Sequence, residues 1–224
     1  MSIKAAAPRL QYVSLTNCVL SLVFLMDPPA LAETSVYIDQ VGDSQTVTIT
    51  QHTPSATASV QVLGGSNSVS VSQGGEGDSG GHSASVYVNG LDNIISSSQL
   101  NLGAVDSGHI LNATVLGNTN KITAVQQDAS TKTQTLSING NNNIISTKQM
   151  DTGNHTLSVT LSGDGNSVTS SQSGSGSHSA SINLTNGGGP SSLTLSQSGS
   201  TNQSYSLTQT CLNPAGCSAS VSQY

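Results

Sequence analysis

The stretch His155-Thr-Leu-Ser-Val-Thr-Leu-Ser-Gly-Asp-Gly-Asn-Ser-Val-Thr-Ser-Ser-Gln172 decides how the chain reads. Val159 and Leu161 precede a central Gly163-Asp164-Gly165-Asn166, and Val168, Ser170 and Gln172 follow it, each separated from the next by a polar residue. A period of two puts these side chains on one face of an extended strand. Gly takes positive φ freely, and Asn tolerates it and bonds its own backbone, so the middle suits a reversal. The segment reads as strand–turn–strand.

The unit recurs. Glutamines stand at Gln51, Gln73, Gln99, Gln126, Gln149, Gln172, Gln197 and Gln223, with gaps of 22 to 27 residues, within the range of solenoid repeats. Six before each Gln, at a position here numbered zero, stand Gln45, Asn67, Asn93, Asn120, Asn143, Asn166, Ser191 and Cys217. Three before zero stand Gly42, Gly64, Gly90, Gly117, Gly140, Gly163 and Gly188, and only Pro214 breaks that column. Two after zero the residues are Val47, Val69, Ile95, Ile122, Ile145, Val168, Leu193 and Ala219. Seven before are Ile38, Val60, Val86, Ala113, Leu136, Val159 and Leu184; five before are Gln40, Val62, Val88, Val115, Ile138, Leu161 and Asn186. β-Branched residues dominate, as strands favour.

One unit offers about six inward side chains and cannot form a core by itself. Stacking units ~4.8 Å apart pairs every backbone group with the rungs above and below. The predicted architecture is an all-β solenoid of strand–turn–strand units, cross-β in character and amyloid-competent. Its eight units span 34–51, 56–73, 82–99, 109–126, 132–149, 155–172, 178–197 and 203–223. An inward amide left unbonded costs about 1–3 kcal/mol, and stacked amides relieve this by bonding each other along the axis. The eight glutamines, with Asn67, Asn93, Asn120, Asn143 and Asn166, are therefore the expected self-assembly ladder.

Composition narrows the function. Five Lys and Arg against eleven Asp and Glu give a net charge of −6, and charged residues are 7%, against about 25% in ordinary soluble domains. This excludes a basic nucleic-acid surface. Aromatics are 3% with no Trp, which argues against a conventional enzyme core. Lys4 and Arg9, the apolar run from Cys18 to Met26, two prolines and Ala30-Leu31-Ala32 have the pattern of a secretory signal peptide over 1–32. The repeat domain is then 33–224. Export implies an oxidising compartment, where Cys211 and Cys217, flanking Leu-Asn-Pro-Ala-Gly, are expected to form a local disulfide across a turn.

Three chemical motifs compete with this reading. Gly77-Asp78-Ser79-Gly80-Gly81 copies the nucleophile motif of chymotrypsin-like proteases, but that chemistry needs a separate His–Asp pair and an oxyanion hole; no catalytic residue and no enzyme activity is expected. His82, His109 and His155 lie eleven before zero with Lys132 in the same column, and His178 lies thirteen before. They read as an exposed linker column, with a pH brake below about pH 6.5 as the sharper alternative. No metal or cofactor site is expected. Asp43, Asp92 and Asp164 near the turns read as turn chemistry, or else as gatekeepers against aggregation.

Gly163-Asp164-Gly165-Asn166 followed by Gln172 resembles the curlin repeat, Gly-x-Gly-Asn with a spaced Gln. Gly140-Asn141-Asn142-Asn143 with Gln149 and Gly64-Gly65-Ser66-Asn67 with Gln73 are looser copies, and the chain closes on Gln223-Tyr224, similar to the end of the major curli subunit. The resemblance covers residues 34 to 224. It departs from the family in lacking Ser eleven before zero, in keeping Gln five before zero only at Gln40, and in carrying Val and Ile two after zero. It implies an extracellular subunit, on the surface of a Gram-negative-type bacterium, that polymerises with itself into amyloid fibres for biofilm matrix and surface adhesion. It also implies two partners, a nucleator subunit and an outer-membrane secretion pore. The alternatives are a non-polymerising repeat adhesin, the nucleator itself, and, more remotely, an ice-binding solenoid.

Overall fold

Runs in which Val, Ile and Leu alternate with Ser and Thr extend into strands because one pleated face is buried and the other is wet. The computed structural model describes residues 11–15, 18–24, 34–53, 55–103 and 107–224. Among them there is no helix. The N-terminal segment contributes β1 (Gln11–Leu15) and β2 (Cys18–Phe24). Each repeat then contributes a pair. These are β3 (Ser35–Val41) with β4 (Gln45–Gln51), β5 (Thr57–Gly65) with β6 (Ser68–Gln73), β7 (Ser83–Leu91) with β8 (Ile94–Leu100), and β9 (Ile110–Leu116) with β10 (Lys121–Gln127). The second half adds β11 (Lys132–Asn139) with β12 (Ile144–Gln149), β13 (His155–Ser162) with β14 (Ser167–Ser173), β15 (Ser179–Asn186) with β16 (Ser191–Ser198), and β17 (Ser204–Cys211) with β18 (Cys217–Gln223).

From β2 onward, even and odd strands separate into two sheets, and β1 joins the even one. One runs β1-β2-β4-β6-β8-β10-β12-β14-β16-β18, the other β17-β15-β13-β11-β9-β7-β5-β3. Every neighbour is parallel except the β1–β2 pair. The chain crosses from one sheet to the other at each turn and climbs one rung per unit, which is a β-solenoid. β2 lies along the outer edge of β4, while Ala30-Leu31-Ala32, the expected cleavage site, lies outside the described residues.

The register aligns like with like. Gln51 pairs with Gln73, Gln73 with Gln99, and so on to Gln197 with Gln223. The aliphatic columns fill the space between the sheets, and residues such as Val47, Val60, Ile122, Leu136, Ile145 and Leu161 are almost wholly buried. A one-residue slip would turn each of them to solvent and bring Ser and Thr inside, so burial pins the register.

The turn column shows why glycine is required. Gly42, Gly64, Gly90, Gly117, Gly140 and Gly163 all have positive φ. A Cβ on Gly117 would also stand 2.1 Å from the carbonyl oxygen of Gly140 on the next rung.

Gly188 is the exception, and corrects the expectation. It is absent from the positive-φ set, because Ser162 pairs with Thr185 and Asn186 therefore follows into the place of Gly163. The seventh turn is two residues longer than the others. Counting back from Ser191 thus misplaces its columns: Val159 pairs with Ile182, not Leu184, and Leu161 with Leu184, not Asn186. A two-residue shift keeps strand parity, so the buried face is still read correctly.

Candidate functional site

Two amide ladders run along the solenoid. In the first, each Gln from Gln51 to Gln197, at or next to the end of an even strand, donates forward: Gln51 Nε2 to Gln73 Oε1 at 2.8 Å, Gln99 to Gln126 at 2.9 Å, Gln149 to Gln172 at 2.8 Å and Gln197 to Gln223 at 2.8 Å. The links at Gln73, Gln126 and Gln172 complete the chain. From Gln73 onward the second N–H donates to a backbone carbonyl of the facing strand, as Gln126 does to Ile110 at 2.9 Å. Both hydrogens and the carbonyl oxygen of Gln126 are thereby used, which is what burial of an amide demands.

The second ladder runs the other way. Asn93 Nδ2 donates to Asn67 Oδ1 at 3.0 Å, Asn120 to Asn93 at 3.0 Å, Asn143 to Asn120 at 3.0 Å and Asn166 to Asn143 at 2.9 Å. The same Oδ1 atoms accept the backbone N–H of the next rung's position zero, ending with Ser191 on Asn166 at 2.8 Å. Asn67, Asn93, Asn120 and Asn143 also donate to the turn-glycine carbonyls of Gly90, Gly117, Gly140 and Gly163. In the last unit the Cys211–Cys217 disulfide joins the two sides of the turn, with Cα atoms 5.6 Å apart.

A third column lies at the turns between units, and the linker expectation for it is corrected. His82, His109, Lys132, His155 and His178 are all buried, with Lys132 0% exposed. They share one column: Lys132 pairs with His155, and Thr156 with Ser179, which sets His178 beside His155. The sequence signal was available in the forward direction, since Lys132, His155, His178 and Gln203 each follow a ladder Gln by six residues. Counting back from position zero hid it, because the long seventh turn shifts His178 by two.

Each member of this column anchors a turn. His155 Nε2 donates to the Met150 carbonyl at 2.7 Å, His178 to Ser173 at 2.8 Å, and Gln203 Nε2 to Ser198 at 3.0 Å. Lys132 Nζ donates to the carbonyls of Ala129, Ser130 and Asp151. The rings of His82 and His109 stack at 4.9 Å, those of His155 and His178 at 5.0 Å.

Burial, with the neighbouring His82 and Lys132, lowers His109 to about pKa 4. Burial, with Lys132 and His178, likewise takes His155 to about 4. Burial lowers Lys132 to about 8, although Asp128 and Asp151 oppose the change. Protonation of His109 and His155 thus falls near pH 4, below the region around pH 6.5.

Asp78 closes the linker ahead of this column. It accepts His82 Nε2 at 2.9 Å and the backbone N–H groups of Gly80 and Asn101, each at 2.8 Å. Burial alone would raise its pKa, but these donors outweigh it and hold it lowered. His82 Nδ1 accepts the His109 N–H at 3.0 Å, so Nε2 carries the ring proton. Both nitrogens are committed, and His82 has none left to activate the exposed Ser79.

Sequence reasoning also missed Gln134, buried in an otherwise largely aliphatic column. Its Oε1 accepts Thr147 Oγ1 at 2.6 Å and its Nε2 donates to the Val125 carbonyl at 3.3 Å. Among the described residues no group of three or more His, Cys, Asp and Glu is placed to hold a metal. A scan of protein-family models and searches of curated proteins and of solved structures find no match to this chain.

Proposed function

We propose that the chain is a secreted structural subunit that self-assembles into extracellular, curli-like amyloid fibres. The observation that carries this reading is the Gln column, hydrogen-bonded in one register from Gln51 to Gln223 and reaching the outermost rung. β17 and β18 end their sheets, and Tyr205, Leu207, Ala219 and Val221 there are only partly buried against the core. An edge of unpaired N–H and C=O groups over an open apolar core is a template for another rung. Repeating that contact is heterologous and does not close, so it yields a filament. The low charge of the chain, −6 over 224 residues, offers little repulsion against it. Export by the leader, deposition at the cell surface in biofilm, a nucleator subunit and an outer-membrane pore belong to the same proposal through the curlin resemblance.

The test is assembly of the purified exported chain. Seedable growth of thioflavin-T-positive fibres is expected, with cross-β reflections near ~4.8 Å and ~10 Å. A chain that stays monomeric for days at tens of micromolar favours the non-polymerising adhesin instead.

A further inference from the structure

The column five before zero is not uniform. In the interior units it is aliphatic, with Val62, Val88, Val115, Ile138, Leu161 and Leu184 aligned by strand pairing. In the two end units it is Gln: Gln40 pairs with Val62 at one end, and Gln209 pairs with Leu184 at the other. An amide set against an aliphatic neighbour has nothing to bond along the axis. Accordingly, Gln40 Nε2 and Gln209 Oε1 are both buried without a hydrogen-bond partner among the described residues. One is a donor and the other an acceptor, at opposite ends of the same column.

The Gln ladder repeats this complementarity in the opposite sense. At its start Gln51 Oε1 is buried and without a hydrogen-bond partner among the described residues. At its end Gln223 Nε2 makes one bond, 3.4 Å to the Ser204 carbonyl, whereas Gln73 through Gln197 each make two. Each end therefore holds, among the described residues, one donor or acceptor with bonding capacity unused in each of two columns, and the two sets are complementary.

We propose that the β17–β18 face of one copy docks on the β3–β4 face of a second copy, in the register that sets Gln209 on Gln40 and Gln223 on Gln51. The occupant of each end is thus another copy of this chain. The second copy's Gln40 Nε2 donates to Gln209 Oε1, and Gln223 Nε2 donates to the second copy's Gln51 Oε1. The same register sets Leu207 on Ile38 and Val221 on Ile49, so aliphatic columns continue across the joint. A slip of two residues sets Gln209 against an aliphatic side chain or the turn, and a slip of one inverts the faces. The Gln40–Gln209 pair is then a specificity device, as buried polar residues are in coiled coils. Because β2 lies along the outer edge of β4, the second face is open only in a chain from which the leader has been cut.

This rests on the self-assembly reading, and the experiment separates the two. The full chain is expressed with its own leader, recovered after export, and its self-seeded elongation followed by thioflavin T. It is compared with Gln40→Leu, Gln209→Leu and the double variant. Leu is what the sixth and seventh units carry in this column, so the folded monomers should persist, as circular dichroism and thermal melting will check. Each single variant should elongate about tenfold or more slowly, the effect of one buried unpaired amide at every joint. The double variant should return to within about threefold of wild type, since the joint becomes Leu on Leu. Single variants that elongate at the wild-type rate, or a double variant as slow as the singles, overturn the docking register. Failure of the wild type itself to elongate overturns self-assembly instead.

Discussion

Gln126 shows what one side chain does in this fold. It accepts from Gln99, donates to Gln149 and donates to the Ile110 carbonyl. Gln126→Leu would preserve the bulk but leave the Gln149 oxygen and one Gln99 hydrogen buried and unbonded. The expected loss is about 2–4 kcal/mol of unfolding free energy by urea titration. Gln61→Leu is the control: it bonds the Asp39 carboxylate at 2.9 Å and is only half-buried, so it should cost less than about 1 kcal/mol. A similar loss in both variants would reduce the ladder to ordinary surface bonding. Which columns carry amides was legible in the sequence, because Gln and Asn repeat in phase with the aliphatic residues. The direction of donation was not, since it depends on how each amide is oriented against the facing strand.

At the scale of the element, the inter-unit turns depend on neutral imidazole. In the unfolded chain His109 and His155 titrate near their usual value of 6.5, while in the fold both lie at about 4. The unfolded state therefore binds more protons between these values, and stability rises with pH across that window. Acidification from pH 6.5 to 4 should cost up to about 3 kcal/mol per ring, with little further loss from these two groups below that. Gln203 makes the same bond to a turn carbonyl without titrating, so the variant His109→Gln with His155→Gln should flatten the slope. Chemical denaturation at pH 7, 5.5 and 4 measures it; parallel slopes for wild type and variant would remove the column from the account. The burial of these side chains was hidden from sequence because turns between repeats vary in length. Position within a loop says little about burial until the stacking of one loop on the next is known.

At the scale of the molecule, each rung touches mainly its two neighbours, so stability is close to a sum over units. Lys121 pairs with Ile144 across one full coil, and deletion of residues 121–143 therefore joins Asn120 to Ile144 in phase. That shortened chain should still melt cooperatively, about 5 °C lower or less. Deletion of residues 121–132 alone joins one sheet's strand to the other's and should abolish the fold. If circular dichroism finds both deletions equally tolerated, the columns do not act as a single register. The solenoid itself was readable in advance because a phased column is a three-dimensional ladder written in one dimension. The seventh unit was misread by two residues, since a count from one landmark assumes a constant turn length and Asn186 to Pro190 violates it.

By itself the sequence determined the all-β character, the number of units, the inward columns and the turn glycines up to Gly163. All of these follow from local periodicity and from the few residues that tolerate a reversal. The tertiary structure alone decided that Lys132 and four histidines are sealed inside, and that His82 is held between Asp78 and His109. It also decided that Gln40 Nε2 and Gln209 Oε1 are buried without a hydrogen-bond partner among the described residues. These features arise only when distant rungs are stacked, because burial and hydrogen-bond satisfaction are properties of neighbours that the chain brings together from more than twenty residues away.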